Sequence, residues 1–95
     1  MSKPDNRHHI VWTTQARREL WEVVDGLVLE RPSVVKSWLD EVTRAMDHLQ
    51  VFPEIGRVVP EFHQATIREI ILSPYRIIYR VKSKERILQI LTVFS

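Results

Sequence analysis

The chain has 95 residues, 14 lysines and arginines against 12 aspartates and glutamates, and no cysteine. That length supports one domain with a modest core, and the missing thiol excludes disulfides, thiolate metal sites and cysteine nucleophiles. No apolar run approaches a bilayer span and MSKPDNRHH lacks an apolar signal core, so a cytoplasmic protein without a membrane partner is expected.

Residues 1–8 read as a polar, flexible leader to a single domain. His9 to Thr13, HIVWT, is rich in β-branched and aromatic residues and reads as a short strand. Thr14 offers a side-chain oxygen as helix N-cap. Ala16, Leu20, Val23, Val24 and Leu27 then recur at helical spacing from Gln15 to about Glu30. Arg31-Pro32 breaks the helix, because the residue before proline is pushed out of the helical region. Pro32 suits the opening turn of a second helix, where its missing N–H has no partner to lose. The stripe Val35, Trp38, Leu39, Val42, Met46 and Leu49 keeps the 3.6-residue period, and Phe52-Pro53 ends it.

The segment PEIGRVVPEFHQAT carries two prolines and a glycine and reads as a loop. Strands are expected over Ile67 to Leu72, Tyr75 to Lys82 and Arg86 to Phe94, with Ser73-Pro74 and Ser83-Lys84 short enough for antiparallel reversals. A strand, a helical hairpin and a three-stranded antiparallel meander make an α+β two-layer sandwich, with helices over one face of the sheet.

Charge divides unevenly along this order. Residues 1–56 hold seven basic and nine acidic residues, whereas residues 57–95 hold seven basic and three acidic, a net of +4 that points to an anionic partner. In SPYRIIYRVKS the strand period puts Tyr75, Ile77, Tyr79 and Val81 on one face and Arg76, Ile78, Arg80 and Lys82 on the other. The first set is expected on the helices and the second in water. On that view Arg76 is replaceable without loss of fold, while Tyr79 is not. Arg57 and Arg68 flank the same sheet, so Arg57, Arg68, Arg76, Arg80 and Lys82 form a candidate binding surface of groups suited to phosphate or carboxylate.

His8 and His9 are adjacent and point to opposite sides of a strand, so no metal site is expected. No cofactor motif is present. Trp12 and Trp38 fall at core positions, whereas Trp21 lies beside the apolar stripe and is the candidate for a protein contact. Glu19 and Glu22 read as part of a solvated helix face, within reach of Arg18.

Five phrases in order, IVWTTQARREL, FPEIGRVVPE, IREIIL, PYRIIYRV and ILQILTVF, resemble the RelE/ParE superfamily of bacterial type II toxins over about His9 to Phe94. The resemblance implies a small toxin neutralised by a cognate antitoxin, with a toxin–antitoxin hetero-oligomer as the expected assembly. In the ParE-like branch such a toxin poisons DNA gyrase. In the RelE-like branch it enters the ribosome and cleaves messenger RNA without a metal, using the RNA 2'-hydroxyl. By position Arg76 matches a phosphate-contacting arginine of the nucleases and Arg68 a basic residue on the preceding strand, while Ile70 falls where nucleases often carry a second lysine. The resemblance places a further basic tail after the last strand, beyond Ser95. Cleavage also needs a base and an acid. Glu61 or His63 is the candidate base and Tyr79 the candidate acid, a set that reads as incomplete and favours the ParE-like reading.

Overall fold

The computed structural model describes residues 6–95, so most of the expected leader lies outside the described residues. Within it, the His8 backbone N–H donates to the Gln50 carbonyl at 2.9 Å. Strand β1 (His9–Trp12) leads into helix α1 (Thr14–Glu30), a 3-10 turn (Pro32–Val34) and helix α2 (Val35–Val51). Strand β2 (Arg57–Val58), a second 3-10 turn (Pro60–Phe62) and strands β3 (Ile67–Leu72), β4 (Tyr75–Lys82) and β5 (Ile87–Phe94) follow. The sheet order is β1-β5-β4-β3-β2, with β1 parallel to β5 and every other pairing antiparallel. The expected α+β sandwich with its helical hairpin and meander is the fold observed.

Local chemistry explains the boundaries. Thr13 caps α1, one residue earlier than expected: its Oγ1 accepts from Ala16 N–H at 3.1 Å and donates to the Ile90 carbonyl at 2.8 Å. One hydroxyl thus closes the helix start and ties it to β5. Pro32 opens the 3-10 turn that feeds α2. The stretch read as a loop contains β2, whose two residues are too short to show a period of two and whose pairing is fixed by β3 alone.

Alternation in β4 places Ile77, Tyr79 and Val81 against Ala16 and Leu49 of the helices, together with Leu88, Ile90 and Val93 of β5, all buried. A second cluster, Val24, Trp38 and Val42, joins the two helices, and Tyr75 meets Trp38 edge-on at 5.3 Å between ring centroids. Burying a residue of this size contributes roughly 1.5–3 kcal/mol, so these two clusters carry most of the core.

The face turned away from the helices is not uniformly open, contrary to expectation. Ile78 and Ile67, 4% and 2% exposed, pack there under Val59, which the segment after β2 folds across the sheet. A bulge supports this small second core. Ile78 pairs with Thr92 and Tyr79 with Ile90, so Leu91 is the extra residue and packs against the same cluster.

Candidate functional site

The sheet register decides which charged residues can meet. Glu69 of β3 lies directly opposite Arg57 of β2 and Ile78 of β4, and Arg76 sits two residues before Ile78, on the same face and diagonal to Glu69. The Glu69 carboxylate is buried, its side chain 1% exposed, while Arg57 and Arg76 are 67% and 36% exposed. Arg57 donates from Nε at 3.1 Å and Nη2 at 2.6 Å to Oε1. Arg76 donates from Nε at 3.0 Å to Oε2 and also from Nη2. Each carboxylate oxygen therefore accepts from one guanidinium edge. The Arg76 guanidinium carbon also lies 5.2 Å from the centre of the Phe94 ring, a cation–π geometry.

Removing a carboxylate from water costs several kcal/mol unless charges and hydrogen bonds replace the solvent. Burial alone raises the Glu69 pKa, but the hydrogen bonds and positive charges of Arg76 and then Arg57 outweigh it and hold the carboxyl below its ordinary range. At neutral pH the three residues form a fixed ion triad of net charge +1.

Arg68 does not join it. Its strand partners are Tyr79 and Val58, so it occupies the helix-side face, where Nη1 donates to the carbonyls of Glu54 and Gly56 at 2.9 Å each. Tyr79 reinforces the same bend. Its hydroxyl donates to the Pro53 carbonyl at 2.8 Å and accepts from Gly56 N–H at 2.9 Å. Burial pushes the Tyr79 phenol upward, partly offset by the Gly56 N–H and by Arg68. These ties fix the bend that carries Phe52 and Ile55, both 60% exposed, with Ile55 lining a recess beside β3.

The remaining candidates are spread over the molecule. Arg80 and Lys82 are half-buried farther along the Arg76 face. Glu61 lies in the exposed 3-10 turn and His63 just after it, with φ 51. Arg76's side-chain hydrogen bonds go to Glu69 and to neither of them. Tyr79 is 0% exposed and turned to the helices. Ile70 pairs with Ile77 and packs on the main core. Glu19 is no free surface charge: its Oε1 accepts from the Thr92 hydroxyl at 2.8 Å and from Val93 N–H at 3.1 Å. Trp21 is 56% exposed on α1. No group of His, Asp and Glu among the described residues has metal-site geometry, and no helix there is long and apolar enough to cross a membrane.

Sequence reading missed Glu69. The signal was present, since an isolated acid inside IREIIL in the basic half of the chain needs cationic neighbours if that strand is central. Strand register, which the sequence leaves open, was required to choose them.

Comparison with known proteins follows the same architecture. The model of the family described as ParE toxin of type II toxin-antitoxin system, parDE, matches residues 10–95. Among solved structures, the chain is similar to one in the chromosomal ParDE toxin–antitoxin system from P. aeruginosa. That likeness has a TM-score of 0.70 and 22% identity over 93% of this chain and 95% of that one. It is also similar to one in the toxin–antitoxin complex RelBE2 from Mycobacterium tuberculosis, with a TM-score of 0.63 and 24% identity over 92% and 95% of the two chains. At such identities the likeness is one of fold. No curated protein matches the sequence.

Proposed function

This chain belongs to the ParE toxin family of type II toxin–antitoxin systems, and from that premise we propose that it arrests growth by binding DNA gyrase and trapping it on cleaved DNA. A cognate antitoxin neutralises it. The observation that favours binding over RNA cleavage is the commitment of the two best catalytic candidates. Arg76 is held by Glu69, and Arg68 is spent on loop carbonyls across the sheet. Phosphoryl transfer from a 2'-hydroxyl needs a base, an acid and a cation aimed at one phosphorus. Glu61 and His63, in and just after the exposed second 3-10 turn, make no hydrogen bond with Arg76, and Tyr79 is buried. A surface that works by docking has no such requirement.

The docking surface in this reading is the face carrying Arg57, Arg76, Arg80 and Lys82, with Arg68 as a support of the adjoining bend. The antitoxin covers α1, where Trp21 and Val28, seven residues apart, share one exposed stripe beside Leu29. A helix laid into an apolar surface is a common recognition mode, and the two similar solved structures belong to toxin–antitoxin assemblies.

The test combines purified gyrase, plasmid, ATP and the toxin. Linear plasmid should accumulate on denaturation with protease and detergent, and transcripts in induced cells should keep their normal ends. Codon-positioned transcript cuts without DNA breaks would replace this reading with ribosome-dependent messenger RNA cleavage.

A further inference from the structure

We infer that Arg57 and Arg76, locked in place by Glu69, form a receptor for a single carboxylate carried on an acidic, apolar-flanked segment of a protein partner. The inference rests on the reading that this sheet face is the working surface, and it names what that surface recognises. Glu69 uses the Nε and Nη2 edge of each arginine, which leaves the Nη1 edges outside the triad. Guanidinium presents its donors in a rigid fork matched to carboxylate geometry, and a fork already immobilised loses little further entropy on binding. Phe94 beneath Arg76 restrains it from a second side.

Charge and surroundings select the ligand. Two arginines less one glutamate leave +1, which one carboxylate neutralises. A polyanion gains most from runs of uncompensated cations along its backbone, and here the buried carboxylate cancels half of the charge of Arg57 and Arg76, leaving Arg80 and Lys82 farther along the face. The flanks are apolar. Ile71, directly across from Arg76, is 63% exposed, and a recess of about 350 Å³ lined by Ile55, Arg57, Glu69 and Ile71 adjoins the triad. Greasy side chains beside an immobilised arginine fit a peptide in which an acidic residue is bracketed by leucine or isoleucine, and they offer a nucleic-acid backbone nothing.

The experiment follows the arginine Nε–Hε resonances of the full chain by NMR. The probes are a capped peptide of alternating leucine and glutamate, the same peptide with glutamine for glutamate, and a short oligothymidylate. Saturable shifts at Arg57 and Arg76 are expected with the acidic peptide, and binding about tenfold weaker with the glutamine peptide. Arg57→Gln should weaken the acidic peptide several-fold and, because it leaves the buried Glu69 with Arg76 alone, lower the melting temperature as well, so binding is compared well below that transition, where the variant is folded. Glu69→Gln should weaken the peptide and strengthen oligothymidylate, because it frees the forks and raises the local charge. Tighter binding of oligothymidylate than of the peptide by the unaltered chain overturns the inference, as do peptide shifts confined elsewhere or no saturable shift. Peptide capture by a chain that fails to trap gyrase faults the gyrase reading and leaves this one standing.

Discussion

The hydroxyl of Tyr79, in the middle of β4, donates to the carbonyl of Pro53 across 2.8 Å while accepting from Gly56 N–H. A core residue thereby sets the path of the chain between α2 and β2, and with it the placement of Arg57 over Glu69.

Tyr79→Phe keeps the ring and removes the tie. It strands the Gly56 N–H, which is buried, and the Pro53 carbonyl, so a loss of roughly 1–3 kcal/mol is expected, read as a lower denaturation midpoint with an unchanged m-value. Tyr79→Ala removes the packed ring as well and should cost roughly 3–5 kcal/mol. Equal stability of the wild type and the phenylalanine variant would show that the hydroxyl carries no weight.

Gly56→Ala tests the same junction by sterics. Gly56 has no left-handed backbone, so its role is room: an added Cβ falls 2.7 Å from the Glu69 carbonyl oxygen and against the Tyr79 hydroxyl. The backbone must shift, and a destabilisation of about 1–3 kcal/mol is expected from overpacking alone. Because Arg57 is the next residue, the shift should also broaden its Nε–Hε resonance.

Glu69 gives the fold an acid-sensitive element. Its folded pKa lies below the unfolded value, so the stabilisation is complete above the ordinary glutamate pKa of about 4.3. It is lost as pH falls through the depressed folded value. Melting temperature should therefore decline on acidification below about pH 4.3, and Glu69→Gln should flatten that part of the profile while lowering stability at neutral pH. Parallel curves for the two proteins would exclude Glu69 as the source.

How much of this was legible in the sequence depends on the range over which each feature is encoded. The helices and β3 and β4 follow from periodicity and proline positions, which are local. The side of the sheet taken by Tyr79 and Arg76 follows from a period of two. Arg68 is harder: its face is set by pairing with Tyr79 across strands, and basic character says nothing of register. The cover over Ile78 arises from Val59 in a segment with no periodic pattern. Glu19 reads as surface charge until β5 brings Thr92 and Val93 N–H within reach, more than 70 residues away. Local chemistry named the elements, and long-range pairing chose which charges meet.

Trp21→Glu separates antitoxin from target. The side chain is exposed on α1 and absent from the described core clusters, so stability should change within about 0.5 kcal/mol. Co-purification with the cognate antitoxin should fall, and growth arrest should persist even when both are expressed. Unchanged capture by the antitoxin would remove Trp21 from that interface.

Arg76 shows why stability must be separated from function. A solvated strand arginine is replaceable at little cost, but Arg76 is one of two partners of a buried carboxylate, so Arg76→Ala leaves Glu69 with Arg57 alone. A loss of roughly 1.5–3 kcal/mol is expected, the range for hydrogen bonds to charged groups, and a melting temperature lower by about 6 °C or more for a domain of this size. Reduced growth arrest in that variant alone would be ambiguous. Replacing a buried ion pair by apolar residues is often neutral or stabilising, and Ile78 and Ile71 provide apolar neighbours on the same face. Glu69→Leu with Arg76→Leu should therefore recover most of the melting temperature and leave Arg57 solvated. If the Arg76 guanidinium makes the contact that matters, the double variant is stable and still fails to arrest growth. A double variant that regains both stability and growth arrest would confine Arg76 to holding the sheet together.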